Sequence, residues 1–123
     1  MARVLILEDR EEIRVLLRAI AERDGHEVLC AATAAEADAL LEKHPALVFV
    51  DLGLPGRSGL DFARELRTHP DLHDVPIVVV TAHPDGAQQI ADAGLEGVEL
   101  ISKPFRFRQV SGIMAKHLGP PGG

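Results

Sequence analysis

The chain has 123 residues, the size of a single domain that can enclose one hydrophobic core. Its net charge of -6 argues against a surface for duplex nucleic acid, because such surfaces neutralise phosphates with Lys and Arg. The one cysteine, Cys30, excludes an internal disulfide, and the first apolar run is too short for a signal peptide or a membrane span, so we expect a cytoplasmic location.

Five short apolar runs recur along the chain and predict five strands. These runs are Val4 to Leu7, Val28 to Ala31, Leu47 to Val50, Ile77 to Val80 and Val98 to Ile101. They are continuous rather than alternating, which is typical of strands that are buried on both faces of a parallel sheet.

Segments with helical spacing separate the strands. The predicted helices cover residues 10–23, 33–44, 58–69, 84–93 and 107–118. Thr33 with Glu36 predicts a capping box for the second helix, and Ser58 with Asp61 predicts a weaker one for the third. The first helix should turn Ile13, Leu16, Leu17 and Ile20 inward, and the last should turn Val110, Ile113, Met114 and Leu118 inward.

Strands that alternate with helices predict an α/β fold, in which a doubly wound, five-stranded parallel sheet carries helices on both faces. The expected strand order is the flavodoxin-like 2-1-3-4-5, which places a ligand beyond the carboxyl ends of the first and third strands. We expect one domain over residues 1–118. Residues 119–123 are only Gly and Pro and should form a disordered tail or a linker stub.

Residues that can do chemistry follow the predicted strands. Glu8 and Asp9 follow the first strand, Asp51 the third, Thr81 the fourth and Lys103 the fifth. Three carboxylates would then meet in one crevice, and such crowding raises a pKa or recruits a cation. Because all these donors are oxygens, Mg²⁺ is favoured over zinc. Taken singly, each acid could instead merely cap a strand or a helix.

The same residues could carry out phosphoryl transfer, which depends mainly on positioning and on charge stabilisation. Asp51 can be the nucleophile. The charge of Lys103 and the hydroxyl of Thr81 can stabilise the phosphoryl oxygens.

The pattern of Glu8-Asp9, Asp51-Leu-Gly-Leu-Pro-Gly-Arg-Ser-Gly59, Thr81-Ala82 and Lys103-Pro104-Phe105 resembles the receiver domain of two-component response regulators. The resemblance extends to about Leu118. It implies a phosphorylation switch, not an enzyme with another substrate, in which Asp51 takes its phosphoryl group from a sensor histidine kinase or a histidine phosphotransfer protein. It also implies that Asp9, Asp51 and the Gly53 carbonyl bind Mg²⁺ directly and that Glu8 acts through water.

The resemblance further implies a downstream protein partner, with no direct binding of nucleic acid or membrane. Receivers usually carry Tyr or Phe three residues before the lysine, and here that residue is Leu100. Signal transmission is therefore expected to use the loop from Ala82 to Pro84, which includes His83, together with the weak fourth helix. His83, two residues beyond Thr81, could shield the phosphoryl group or orient a water.

Two other functions share some of these features. A phosphohydrolase of the haloacid-dehalogenase type also uses a strand-end aspartate, but its second aspartate would fall at Gly53. A receiver-shaped adaptor that is never phosphorylated would not need the clustered charges.

Three further patterns have simpler interpretations. The glycines at 53, 56 and 59 do not have the spacing of a dinucleotide-binding loop, and we interpret Leu54-Pro55-Gly56 as a tight turn. The segment with His69, Asp71, His73 and Asp74 is interpreted as a solvated connection rather than a metal site. The basic residues Arg106, Arg108, Lys116 and His117 are interpreted as a solvated helix face.

Overall fold

Strands and helices alternate along residues 2–120, the part of the chain that the computed structural model describes. The strands are β1 (Arg3–Leu7), β2 (Glu27–Ala31), β3 (Leu47–Val50), β4 (Ile77–Thr81) and β5 (Val98–Ser102). The helices are α1 (Glu11–Arg23), α2 (Ala34–Leu40), α3 (Gly59–Leu66), α4 (Gly86–Asp92) and α5 (Phe107–Leu118), with a 3-10 turn at Leu41–Lys43 after α2. The tail prediction falls largely on residues 121–123, which lie outside the described residues.

The strands form one parallel sheet in the order β2-β1-β3-β4-β5, which confirms the predicted fold. Leu7 at the end of β1 pairs with Val50 at the end of β3, so the residues that follow these strands are neighbours. Successive side chains enter opposite faces of the sheet. Leu5, Val48 and Val79 therefore belong to one apolar cluster, while Ile6, Phe49 and Val78 belong to the other.

The prediction that all five strands are buried on both faces is wrong for the two outer strands. β1, β3 and β4 are buried almost throughout. β2 and β5 are mostly half-buried or exposed, because each has a neighbouring strand on one side only. Cys30, on β2, is accordingly half-buried.

The apolar stripe of α1 is rotated from the predicted one. Leu17, Ile20 and Ala21 are buried, and Ile13 is half-buried. Leu16 is 46% exposed, so its predicted burial is wrong. With 3.6 residues per turn, the burial of Ala21 moves the centre of the stripe away from Leu16.

The last helix packs with the face that its sequence predicts. Val110 and Met114 are buried, and Ile113 and Leu118 are half-buried against the same cluster. Ser111 Oγ donates a hydrogen bond to Asp24 Oδ2 at 2.7 Å, which joins α5 to the end of α1. Within the described residues, no helix has the length and apolar character needed to cross the bilayer.

The amino ends of β4 and β5, opposite the candidate site, are tied together by Arg67. Its guanidinium donates to the carbonyls of Val75 at 2.6 Å, Glu96 at 2.9 Å and Gly97 at 3.0 Å. A rigid planar fork suits this set of acceptors, since its donors are fixed relative to one another. Arg67 therefore adds side-chain hydrogen bonds to the backbone pairing of β4 and β5 at this end of the sheet.

Candidate functional site

The hydrogen-bond ladder of the sheet continues past the strand ends and positions two of the predicted residues. The Asp51 N–H donates to the carbonyl of Leu7 at 3.0 Å, so Asp51 lies beside the end of β1. The Lys103 N–H donates to the carbonyl of Thr81 at 2.8 Å, so Lys103 lies beside the end of β4. Both backbones are thus extensions of the sheet rather than free loops.

Lys103 contacts two of the predicted acids. Its Nζ donates to Glu8 Oε1 at 2.7 Å and to Asp51 Oδ2 at 3.1 Å. Only 11% of the lysine side chain is exposed. Burial acts to lower the pKa of Lys103, but the hydrogen bonds to Glu8 and Asp51 outweigh it and leave that pKa raised. The ammonium is therefore charged at neutral pH.

Glu8 is the most deeply buried acid of the site, at 1% exposure. Its Oε1 accepts from Lys103, and its Oε2 accepts from the Arg10 N–H at 3.2 Å. Burial raises the pKa of Glu8 to about 7, and the nearby Asp51 charge adds to the rise, although the bonds from Lys103 and Arg10 oppose it. The expectation that crowding raises a pKa is met at Glu8, with burial as the larger cause.

The Asp51 carboxylate is buried in the wall of the site and accepts two hydrogen bonds. Its Oδ1 accepts from the Gly53 N–H at 3.1 Å while its Oδ2 accepts from Lys103. Asp9, by contrast, is exposed. The carboxylates of Glu8, Asp9 and Asp51 offer oxygens that all lie within 4.8 Å of one another.

Thr81 and His83 form a turn that also lines the cavity. Thr81 Oγ1 accepts from the His83 N–H at 3.1 Å, and the hydroxyl hydrogen of Thr81 remains available to a ligand. Ala82 and His83 are exposed. Asp51, Gly53, Thr81, Ala82, His83 and Lys103, together with Asp9 and Arg10, line a cavity of about 370 Å³.

The acidic group suits a hard divalent cation. It offers only oxygen ligands, and Asp9 and Asp51 line the cavity while both oxygens of Glu8 already accept hydrogen bonds from the protein. Mg²⁺ prefers such ligands and keeps several waters. Among the residues that the structure describes, this is the one group of three or more His, Cys, Asp or Glu side chains that could hold a metal.

Two glycines of the site have a structural reason that the sequence does not reveal. A Cβ on Gly59 would lie 1.9 Å from the carbonyl oxygen of Asp51, so the start of α3 packs closely against Asp51. A Cβ on Gly86 would lie 2.9 Å from Thr81 Cγ2 and 3.5 Å from Leu100 Cδ1. The start of α4 therefore lies between Thr81 and Leu100. In the sequence, the only indication of this close packing is that a glycine begins the helix after each of these two strands.

Arg14 is a further residue that sequence reasoning missed. Its guanidinium donates to the Glu8 carbonyl at 2.9 Å and lies 3.4 Å from the Asp9 carbonyl. This contact secures the segment between β1 and α1, which carries two of the acids. A basic residue about one helical turn after an acidic pair is too common in sequences to have identified Arg14 as part of the site.

The segment with His69 and Asp71 forms a local turn. His69 Nδ1 accepts from the N–H groups of Asp71 and Leu72 at 3.0 and 3.1 Å. The predicted solvated face of α5 is found at Arg106 and Arg108, which are exposed. It is wrong for His117, which is half-buried and, like Lys116, pairs with Glu99 on β5.

Comparison with known proteins gives one consistent result. A family model described as the response regulator receiver domain matches residues 4–114. The chemotaxis protein CheY4 of Vibrio cholerae has 26% identity and a TM-score of 0.85, with 96% of this chain and 99% of that chain covered.

A longer protein and a second short one give similar matches. NtrX of Brucella abortus has 30% identity and a TM-score of 0.82 over 95% of this chain, which spans only 27% of that one. The phosphorylated cyanobacterial phytochrome response regulator RcpA has 24% identity and a TM-score of 0.82, with 95% and 94% covered, and so shows the shared fold.

Proposed function

Since the chain belongs to the response regulator receiver domain family, we propose that Asp51 accepts a phosphoryl group from a sensor histidine kinase or a histidine phosphotransfer protein. Receiver domains are the phosphoacceptor switches of two-component signalling. The observation that carries the proposal is the Lys103 ammonium, which contacts Glu8 at 2.7 Å and Asp51 at 3.1 Å at the edge of a cavity. A fixed positive charge beside a carboxylate nucleophile is what phosphoryl transfer requires.

In the proposed reaction, an oxygen of Asp51 forms a bond to phosphorus as the bond from phosphorus to the donor histidine nitrogen breaks. Lys103 then has a phosphoryl oxygen as a new partner, and the Thr81 hydroxyl can donate to another. Asp9, Asp51 and the Gly53 carbonyl would hold Mg²⁺, with Glu8 acting through water. When bound, Mg²⁺ would offset the negative charge of the acids and of the phosphoryl group. We place this reaction in the cytoplasm.

The proposed output is a change in a protein-binding face near α4. Leu100 stands where the family usually has an aromatic residue, and a leucine has no ring to rotate. Thr81 and Leu100 both lie within contact distance of the position a Gly86 side chain would occupy. A displacement of Thr81 toward the phosphoryl group would therefore be felt first at the start of α4.

Asp51→Asn tests the proposed function directly. Incubation with acetyl phosphate and Mg²⁺ should add one phosphoryl group to the wild-type chain, as measured by intact-mass spectrometry, and none to Asp51→Asn. Asp61→Asn is the matched control, because that carboxylate is half-exposed on α3 and should leave labelling unchanged. Labelling of Asp51→Asn, or labelling in EDTA, would contradict the proposal.

Two further assays, phosphomonoester turnover and partner binding, separate the rival functions. A phosphohydrolase would turn over small phosphomonoesters, and Gly53 in place of a second aspartate predicts that this chain does not. An adaptor would bind its partner equally well before and after incubation with the phosphodonor.

A further inference from the structure

Arg57 connects the loop that follows Asp51 to two helices. Its Nη2 donates to both carboxylate oxygens of Asp38, on α2, at 2.8 Å each. Its Nε lies 3.4 Å from Glu65 Oε2, on α3. Its guanidinium carbon lies 6.0 Å from the centre of the buried Phe62 ring, also on α3. One side chain therefore ties this loop to α2 and α3 at once.

The rest of the loop has few other anchors. Among residues 2–120, no backbone N–H or carbonyl of residues 54–57 hydrogen-bonds to another backbone group. The Leu54 side chain is 7% exposed and anchors the first half of this segment in an apolar cluster. A segment without backbone hydrogen bonds depends on its side chains for its position. The contacts of Arg57 are thus what hold its second half.

The position of this segment sets the direction of the Gly53 carbonyl. The Gly53 N–H donates to Asp51 Oδ1 at 3.1 Å, but that bond fixes only the peptide unit before Gly53. The carbonyl belongs to the next peptide unit, and glycine allows a wide range of backbone angles between the two. Its direction is therefore set by the chain that follows, from Leu54 to Arg57.

We propose that Arg57 is a positioning residue for the metal, because its bond to Asp38 holds the 54–57 segment and so keeps the Gly53 carbonyl in place to bind the cation. This inference rests on the proposed function, in which that carbonyl binds Mg²⁺ together with Asp9 and Asp51. Mg²⁺ demands a nearly ideal arrangement of its ligands, so a carbonyl that can rotate away binds it less well. Groups that hold ligands in place are a general determinant of metal affinity.

The direction of the effect distinguishes positioning from electrostatics. If Arg57 acted only through its positive charge, Arg57→Gln would strengthen cation binding, whereas loss of positioning weakens it. We expect the dissociation constant for Mg²⁺, measured by amide NMR titration, to rise roughly twofold to fivefold, the range for a partly exposed ion pair. Equal or tighter binding by Arg57→Gln than by the wild-type chain would overturn the proposal.

Arg64→Gln is the matched control for the loss of charge. Arg64 is on α3, and its Nη1 lies 3.6 Å from Asp61 Oδ1 of the same helix. This variant should bind Mg²⁺ at least as tightly as the wild-type chain. Binding weakened to the same extent as in Arg57→Gln would contradict a role that belongs to Arg57.

Asp38→Asn tests whether Arg57 acts through its partner. We expect Asp38→Asn, and the double variant with Arg57→Gln, to weaken Mg²⁺ binding by the same factor as Arg57→Gln alone, because each removes the same contact. Two charges that acted independently would have opposite effects, which would nearly cancel in the double variant. A double variant with wild-type affinity would therefore contradict the proposal.

Nitrogen-15 relaxation in EDTA provides a readout that needs neither metal nor phosphorylation. The order parameters of residues 53–57 should fall in Arg57→Gln and keep their wild-type values in Arg64→Gln. Unchanged order parameters in Arg57→Gln would overturn the positioning role. A wild-type chain that binds Mg²⁺ but takes no phosphoryl group would overturn the proposed function alone, and a wild-type chain that binds no Mg²⁺ would overturn both.

Discussion

Helices α3 and α4 follow neighbouring central strands that end in site residues, yet they are attached to the sheet very differently. α3 buries Gly59, Phe62, Ala63 and Leu66, and Ser58 Oγ accepts from the Asp61 N–H at its start. α4 has seven residues, and the one that is buried is Gly86. Elements with few buried contacts change state at low free-energy cost. Asp51, the proposed acceptor, thus lies beside the firmly packed helix, while Thr81 adjoins the helix with fewer buried contacts.

The largest expected loss of stability comes from disturbing the packing of α3 against Asp51. Gly59→Ala would place a methyl 1.9 Å from the Asp51 carbonyl oxygen, so the start of α3 must move away from Asp51. We expect the free energy of unfolding to fall by more than about 4 kcal/mol, measured by urea denaturation.

Gly112→Ala is the control for that change. Nothing lies within 4 Å of a Cβ at Gly112, inside α5, so this substitution should stabilise the helix by about 0.5 to 1 kcal/mol. A loss at Gly59→Ala no greater than about 1 kcal/mol would show that α3 is not held firmly against Asp51.

The raised pKa of Glu8 makes the stability of the fold depend on pH. Its pKa is about 7 in the fold against a usual 4.5, so the folded chain binds a proton more tightly than the unfolded chain. This contribution to stability is complete below about pH 4.5 and is lost as the pH rises through 7. In metal-free buffer, the free energy of unfolding of the wild-type chain should fall by about 3 kcal/mol across that range, and that of Glu8→Gln should not show this fall.

Denaturation curves at several pH values in EDTA measure the Glu8 effect. Glu12→Gln is the matched control, since that side chain is 69% exposed and should keep the wild-type dependence on pH. An unchanged dependence in Glu8→Gln would contradict the raised pKa.

Gly86→Ala makes the same chemical change on the loosely attached side. The added methyl would lie 2.9 Å from Thr81 Cγ2, a side-chain atom rather than backbone, and α4 has few other contacts to lose. We expect a smaller loss, about 1 to 2 kcal/mol, together with altered amide shifts for Thr81 and Leu100. A loss equal to that of Gly59→Ala would remove the contrast between the helices.

The smallest expected effect is the change in amide signals when beryllofluoride activates the protein. Beryllofluoride should shift the amide signals of residues 82–94, while those of residues 59–66 and the side-chain position of Leu100 change little. Amide NMR or paired crystal structures can measure this. A large rearrangement of Leu100 with a static 82–94 segment would show that the signal leaves by another route.

The fold was predictable because its main determinants are local. Apolar runs and helix starts such as Thr33 and Ser58 located the elements, and the right-handedness of parallel connections reduced the possible folds to a few doubly wound ones, of which the expected order is the one observed. Leu16 was assigned wrongly because a stripe can rotate by part of a turn when a small residue such as Ala21 is buried instead. The half-buried outer strands follow from the strand order rather than from their composition.

The site was only partly predictable, because its details depend on distances across the fold. Strand ends located the acids, Thr81 and Lys103, since parallel strands share one carboxyl edge. No spacing could show that Glu8, rather than Asp9, is the buried acid, or that Lys103 contacts two acids at once. The contact of Arg57 with Asp38 likewise depends on how α2 lies beside the loop after Asp51.

The guanidinium of Arg67 gives α4 a fixed point near its carboxyl end. Arg67 fastens the carbonyls of Glu96 and Gly97, just beyond the carboxyl end of α4, whereas the amino end of that helix rests against Thr81. Because the segment after α4 is held by Arg67, we expect the displacement of α4 on activation to be smallest near Ala93 and largest near Gly86. A fluorescent reporter for the state of this protein should therefore be attached near Ala87, and one attached near Glu96 should remain silent.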